Sequence, residues 1–254
     1  MTKILAITNQ KGGVGKTTTS INLAASLVNA GMRILLVDLD PQGNATMGSG
    51  VDKRFLDKTI YQVLLGEHLI TDVFLATTPG KYDLLPANQE LAGAEIEMVG
   101  LDKRETRLKD ALHPVQSNYD FILIDCPPAL NLLTINGLCA AHAVVIPMQC
   151  EYYALEGLSD LVNTIKRIRT SFNPALKIEG LLRTMFDPRN LLAQQVSDQL
   201  QQHFAGKVYQ TIIPRNIRLA EAPGFGKPVL YHDRQSKGAR AYFALADELL
   251  AASR

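Results

Sequence analysis

The residues Lys11-Gly12-Gly13-Val14-Gly15-Lys16-Thr17-Thr18 bring three glycines, two lysines and two hydroxyls into eight consecutive positions. Glycines at this spacing let backbone N–H groups turn inward around an anion, and a helix starting immediately afterwards adds a favourable dipole. Lys16 supplies a mobile cation, and the Thr17 hydroxyl supplies a hard oxygen for a divalent ion. An apolar strand pattern (residues 4–8) precedes the loop and a helical pattern (residues 17–29) comes after it. That context identifies a P-loop, in which Lys16 meets the β- and γ-phosphates of a nucleotide and Thr17 meets Mg²⁺. The expected ligand is therefore ATP with Mg²⁺, and the expected reaction is its hydrolysis. The general pattern G-x-x-x-x-G-K-[ST] needs glycine at position 10; here that position is Gln10, and Lys11 stands before the glycine pair.

Two carboxylates extend the chemistry. Asp40 lies in the polar, turn-rich stretch of residues 38–46, and Asp125 ends the apolar run Phe121-Ile122-Leu123-Ile124. Either aspartate alone is equally well explained as a turn or cap residue. Placed after a strand, beside a P-loop, they suit water and metal chemistry instead, because open α/β sheets bind ligands at the carboxyl ends of their strands. Asp125 is then expected to act on Mg²⁺, mostly through water.

The elements that must position these groups alternate along the chain. Strands are predicted at residues 4–8, 33–38, 82–85, 121–124, 143–147, 178–185 and 209–213. Helices are predicted at 17–29, 89–99, 104–116, 155–170, 191–203 and 238–253, with Gly31 and Gly100 as left-handed caps. This order predicts an α/β fold: a doubly wound, mainly parallel sheet with helices on both faces, in a single domain over residues 1–254.

At 254 residues, 46% hydrophobic and 20% charged, the composition is that of a globular protein with a sizeable core. No apolar run reaches the roughly 18 residues of a membrane span, and Lys3, Gly12 and Gly13 break any signal-peptide pattern, so a cytoplasmic location is expected. Cys126, Cys139 and Cys150 form no CxxC pair and read as buried thiols. The net charge of +1 conceals a polarity: residues 1–159 carry 12 Lys and Arg against 17 Asp and Glu, while residues 160–254 carry 14 against 8. A local basic face is therefore available for nucleic acid.

The motif KGGVGKTT resembles the deviant Walker A motif of the MinD/ParA superfamily. Further segments, LLVDLDPQGNAT, LAGAEIE, FILIDCPPAL, CEYYALEGLSDL and IIPRNIRLAEAPGFGKPV, make the chain similar to the chromosome-partitioning ParA/Soj ATPases over nearly its whole length. That resemblance implies that Lys11 reaches the phosphates bound by a partner subunit in an ATP-sandwich homodimer, and that Asp40 orients or activates the attacking water. Cys126-Pro127-Pro128 would be a second switch, residues 151–155 would lie near the subunit interface, and Pro214 and Asn216 would contact the nucleotide base. It further implies nonspecific duplex DNA binding by the dimer through Arg189 and Arg218; Arg183, Arg215, Lys227, Lys237 and Arg240, which the resemblance does not match, are candidates either to extend that patch or to be ordinary solvated charges. A ParB-type centromere-binding protein is the implied stimulator, and the nucleoid the implied location.

Two positions depart from the family pattern: Gly224, where serine is usual, and Arg183, where an apolar residue is common. No helix-turn-helix domain is expected ahead of the P-loop, and no membrane-targeting tail after Ala251-Ala252-Ser253-Arg254. The absence of paired cysteines argues against an iron-sulfur carrier. Two rivals stay open: a ParA-like ATPase that positions another cargo, which a neighbouring ParB-like gene would argue against, and a membrane-bound MinD-type division-site regulator, which liposome sedimentation would test.

Overall fold

In the computed structural model, residues 2–252 are described. They contain the strands β1 (Lys3–Ile7), β2 (Ile34–Asp38), β3 (Leu75–Ala76), β4 (Asp83–Leu85), β5 (Phe121–Asp125), β6 (Ala143–Met148), β7 (Lys177–Phe186) and β8 (Val208–Pro214). The strands form one sheet in the order β3-β4-β2-β5-β1-β6-β7-β8, parallel throughout except for β3, which runs antiparallel to β4. The helices are α1 (Lys16–Asn29), α2 (Asn44–Gly48), α3 (Ile60–Leu65), α4 (Leu91–Glu97), α5 (Arg107–Leu112), α6 (Leu132–Ala140), α7 (Ala154–Ser171), α8 (Leu191–His203), α9 (Ile217–Glu221), α10 (Val229–His232) and α11 (Lys237–Ala251).

Alternation along the central strands builds two separate cores. Ile4 and Ala6 of β1, Leu35 and Val37 of β2, and Ile122 and Ile124 of β5 pack on the face covered by α3 to α8. Their neighbours Leu5 and Ile7, Ile34 and Leu36, and Phe121 and Leu123 pack on the other face, against Leu23 and Leu27 of α1 and Tyr242, Leu245 and Leu249 of α11. Each fully buried aliphatic side chain contributes about 1.5–3 kcal/mol, so strands buried on both faces are the strongest part of the structure. Register then delivers the chemistry: Asp125 of β5 lies opposite Ile7 of β1 and Asp38 of β2, which brings both carboxylates to the sheet edge where the P-loop begins.

All seven predicted strands are present, with ends displaced by a residue or so. The two-residue β3 offers too short a run to show periodicity. The predicted helix at 104–116 shrinks to α5 because Lys103 takes a left-handed φ of 53° before it and Pro114 comes after it. Helix α6 is missing from the sequence prediction because Leu132–Ala140 is apolar nearly all round and lacks a helical stripe, as suits a helix buried on several sides. Gly31 is left-handed at φ 89°, as expected after α1. The left-handed cap expected at Gly100 is not found: Gly100 closes a 3-10 turn over Met98–Gly100 that carries α4 onward, so no reversal of φ is needed there. The predicted end of the last helix at Ser253, and the Ser253-Arg254 end, lie outside the described residues. Among the described residues, no helix is long and apolar enough to cross a membrane.

Strands β7 and β8 pair irregularly. Leu181 lies opposite Val208 and Arg183 opposite Ile212, so β8 holds two more residues than β7 over that interval. Phe186 then lies opposite Pro214, so β7 holds one more, beside Met185 at a left-handed φ of 49°. Paired bulges of this kind bend strands and re-aim the residues beyond them.

Candidate active site

The loop between β1 and α1 turns on Gly13 and Gly15, at φ 75° and 89°. It is pinned at several points by residues distant in sequence. Asn9 donates from Nδ2 to the Pro147 carbonyl at 2.8 Å and accepts the Lys11 N–H at 3.0 Å, and the Thr184 hydroxyl donates to the Val14 carbonyl at 2.7 Å. Lys16 Nζ donates to the Lys11 carbonyl at 3.1 Å, which holds the ammonium over the loop. Burial lowers the Lys16 pKa, and the nearby charges of Asp125 and Asp40 oppose that shift. A Cβ added at Gly12 or Gly13 would meet no atom within 4 Å, so the backbone there faces open space suited to phosphate.

Below the loop the Thr17 hydroxyl donates to Asp125 Oδ2 and the Ser20 hydroxyl to Asp125 Oδ1, both at 2.8 Å. Asp125 is fully buried; that burial, together with the charge of Asp38, pushes its pKa up to about 8 against the two hydroxyl donors. Asp38, also fully buried, is pushed up to about 6 by burial, opposed by hydrogen bonds from the Thr46 hydroxyl and from the backbone of Thr46 and Asp40. Asp125 faces the Thr17 and Ser20 hydroxyls and the charge of Lys16, and Asp38 beside it is held by Thr46, so ionising both carboxyls together calls for positive charge from outside the protein. A divalent cation at Thr17, with Asp125 reached through its water, fits that donor set.

Asp40 stands just after β2, with Oδ1 accepting the Gln42 N–H at 2.9 Å. With Gly12, Gly13, Gly15, Lys16, Thr17 and Thr18 it lines a cavity of about 520 Å³ that Thr184, Met185, Pro214, Arg215 and Asn216 also line. The P-loop and Pro214 therefore line one nucleotide-sized space. Asn216 also caps α9, its Oδ1 accepting the Leu219 N–H at 3.3 Å. Val14 is buried, and its carbonyl is taken by the Thr184 hydroxyl.

Lys11 is turned away from its own loop. Its ammonium pairs with Glu151, next to Tyr152 and Tyr153, which are 74% and 70% exposed and meet edge to face. Arg189, after β7, is exposed and paired with Asp187 at 2.8 Å; Arg218, on α9, pairs with Glu221 at 2.9 Å and Asp233 at 3.3 Å. Arg215 lies close enough to Asp187 to help hold its carboxyl below the usual range, after the larger effect of Arg189. Arg189, Arg215 and Arg218 thus lie beyond the carboxyl ends of β7 and β8. Arg183 does not belong with them. It is buried on β7, so the structure removes it from the basic patch.

Sequence reasoning passed over Asn9, Ser20, Asp38 and Thr184. Asp38 had a signal in the Asp-x-Asp spacing at a strand end; the loop contacts of Asn9 and Thr184 span 138 and 170 residues and left none. Cys126, Cys139 and Cys150 are buried, as expected, and burial raises each thiol pKa, to about 11 for Cys139 and Cys150.

Comparison with known proteins agrees with this geometry. A family model described as an AAA domain matches residues 2–178. The chain is 55% identical over 251 residues to the sporulation initiation inhibitor protein Soj of Bacillus subtilis (strain 168), covering 99% of each. It is 49% identical over 254 residues to the chromosome partitioning protein ParA of Caulobacter vibrioides (strain NA1000 / CB15N), covering 99% of this chain and 95% of that protein. Among solved structures, a Mycobacterium smegmatis protein described as a cobyrinic acid a,c-diamide synthase, with bound ATP analog and magnesium, superposes with a TM-score of 0.90 at 40% identity, covering 100% of this chain and 96% of that one. Identity to the partitioning proteins is the higher, over the same span. With the lysine-flanked glycine loop built at the carboxyl edge of a parallel sheet, the chain belongs to the ParA/Soj family of chromosome-partitioning ATPases.

Proposed function

We propose that the chain is an ATP-driven dimerising switch. It binds ATP and Mg²⁺ at the P-loop, pairs with a second copy across the bound nucleotides, and as a dimer holds duplex DNA without sequence preference. Hydrolysis, stimulated by a ParB-type partner, resets the cycle, and chromosome or plasmid partitioning is its outcome in the cytoplasm on the nucleoid. The Soj and ParA names of the relatives support the partitioning role, and the ATP analog and magnesium in the M. smegmatis structure support the ligands.

One observation carries this reading: the two lysines of a single loop face different ways. Lys16 lies over its own loop, while Lys11 points outward to Glu151 beside an exposed aromatic pair. Lys16 and the N–H groups of residues 12–18 hold the phosphates. Thr17 would hold Mg²⁺, with Asp125 reaching it through water, and the ion would supply positive charge against the phosphates. Asp40 positions a water whose oxygen bonds to the γ-phosphorus as the bond to the β,γ-bridging oxygen breaks, leaving ADP and phosphate. Lys11 leaves Glu151 to reach the phosphates of the facing subunit, where a second cation stabilises the charge of the transition state. Pro214 has no N–H and presents a carbonyl acceptor, which suits the exocyclic amine of adenine and disfavours a keto oxygen. Arg189 and Arg218 neutralise DNA phosphates.

Sedimentation velocity and duplex binding, each with ATP, ADP and no nucleotide, test the proposal. Dimerisation and DNA binding should both require ATP. A monomer with ATP, or equal DNA binding in all three states, would overturn it.

A further inference from the structure

Arg183 is a buried cation without a carboxylate at hydrogen-bond distance. Its Nη1 donates to the Ser197 hydroxyl at 2.9 Å, and its Nη2 to the carbonyls of Tyr209 at 2.8 Å and Gln210 at 3.3 Å. Its Nε is a buried nitrogen with no partner among the described residues. Burial lowers the pKa of this guanidinium, so nothing in its solvation favours the position. What it touches explains it. Tyr209 and Gln210 fall within the interval where β8 carries its two extra residues, and a bulge leaves strand N–H and C=O groups without ladder partners. Arg183 takes the freed carbonyls. From the other side, Glu248 of α11 takes the freed N–H groups, with Oε1 accepting from Gln210 at 2.7 Å and Oε2 from Thr211 at 2.9 Å. One cation and one anion, from two different elements, thus hold both sides of one irregular segment.

That segment lies just ahead of Ile213, Pro214, Arg215 and Asn216, all of which line the nucleotide cavity. Side chains and carbonyls reverse direction with each residue of a strand, so the size of the bulge decides which groups face the cavity. We infer that Arg183 and Glu248 form a clamp on the bulge of β8 that fixes the phase of residues 214–216, making the two side chains positioning residues for recognition of the nucleotide base. The inference rests on the proposed base contact at Pro214 and Asn216. It concerns residues that touch neither nucleotide nor Mg²⁺.

The test compares Mg²⁺-ATP with Mg²⁺-ITP by titration calorimetry on the full chain. The two nucleotides share phosphates and sugar and differ at the 6-amino against the 6-keto group and, with it, at N1, an acceptor in ATP and an N–H donor in ITP. The unaltered protein should prefer ATP. Arg183→Met and Glu248→Gln should lose ATP affinity by about tenfold, the effect of one misplaced hydrogen bond, with little change for ITP, so that the preference shrinks towards unity. Arg183→Lys, which keeps a donor for the bulge carbonyls, should recover part of the preference. A merely structural role would lower both affinities together and leave their ratio alone. Should Arg183→Met fail to fold, Glu248→Gln carries the same comparison. Folded variants with the unaltered ratio would overturn the clamp. An unaltered protein that does not prefer ATP would remove the base contact itself, and the clamp with it.

Discussion

Lys16 and Asp40 occupy one cavity yet should fail differently when removed. Lys16→Ala deletes the ammonium held over the loop, and a charge-assisted hydrogen bond is worth about 1.5–3 kcal/mol, so ATP affinity measured by calorimetry should fall roughly 10- to 150-fold. Asp40→Ala keeps Lys16, Thr17 and Asp125 but loses the carboxylate proposed to position the attacking water. Turnover should drop at least about 100-fold while the ATP-bound dimer persists on a sizing column. Normal turnover in that variant would remove Asp40 from its role. The buried pair Asp38 and Asp125 predicts a pH dependence. Their pKa values are raised to about 6 and about 8, so the nucleotide-free folded protein retains protons that the unfolded chain, near 3.8, has released. Their contribution to stability is therefore complete below about 4 and is lost as pH rises through about 8. The thermal midpoint of the nucleotide-free protein should fall across that range, and Asp125→Asn should flatten the fall. Mg²⁺-ADP affinity should rise with pH over the same window, because the metal site needs the ionised carboxylate.

The loop after β5 joins Asp125 to α6, and Asn131 anchors its far end. The Asn131 side chain caps α6 by accepting the Thr134 N–H at 3.0 Å, and its amide donates to Glu95 of α4. Asn131→Ala should cost about 1–2 kcal/mol in urea denaturation, the usual loss for a helix N-cap. An unchanged midpoint would show that Glu95 and the loop backbone hold the segment without it. The P-loop with α1 was legible in the sequence because its strand, turn and helix are contiguous and each obeys local rules: β-branched and aliphatic residues, then glycines able to take positive φ, then a helical run closed by Gly31. Helix α6 and the bulges of β7 and β8 were not, because an all-apolar helix shows no stripe and a bulge depends on the partner strand.

An assembly that opens and closes on ATP needs a lysine free to change partners. The pairing of Lys11 with Glu151 gives it a resting place within one subunit. Lys11→Ala should therefore bind ATP nearly normally and fail to dimerise in sedimentation velocity. ATP-dependent dimers of that variant would argue against a role across the interface. On the DNA side, Arg189 and Arg218 sit in surface ion pairs, which are worth little in water and can be exchanged for phosphate. Replacing both with Glu should abolish duplex binding in fluorescence anisotropy while basal hydrolysis and dimerisation survive, and single substitutions should flatten the salt dependence, whose slope is roughly −0.9 per phosphate neutralised. Loss of hydrolysis with binding intact would place these arginines on the wrong face. From its sequence alone the protein's α/β class, its phosphate loop, the two strand-end aspartates and its family were determined, because each resides in a contiguous run whose residue types and spacing already specify local geometry. Tertiary structure alone decided that Thr17 meets Asp125 across 108 residues, that Lys11 meets Glu151 across 140, and that Arg183 turns inward to a bulge instead of outward to DNA. Those meetings depend on strand register and on packing between elements far apart in the chain, which no local pattern encodes.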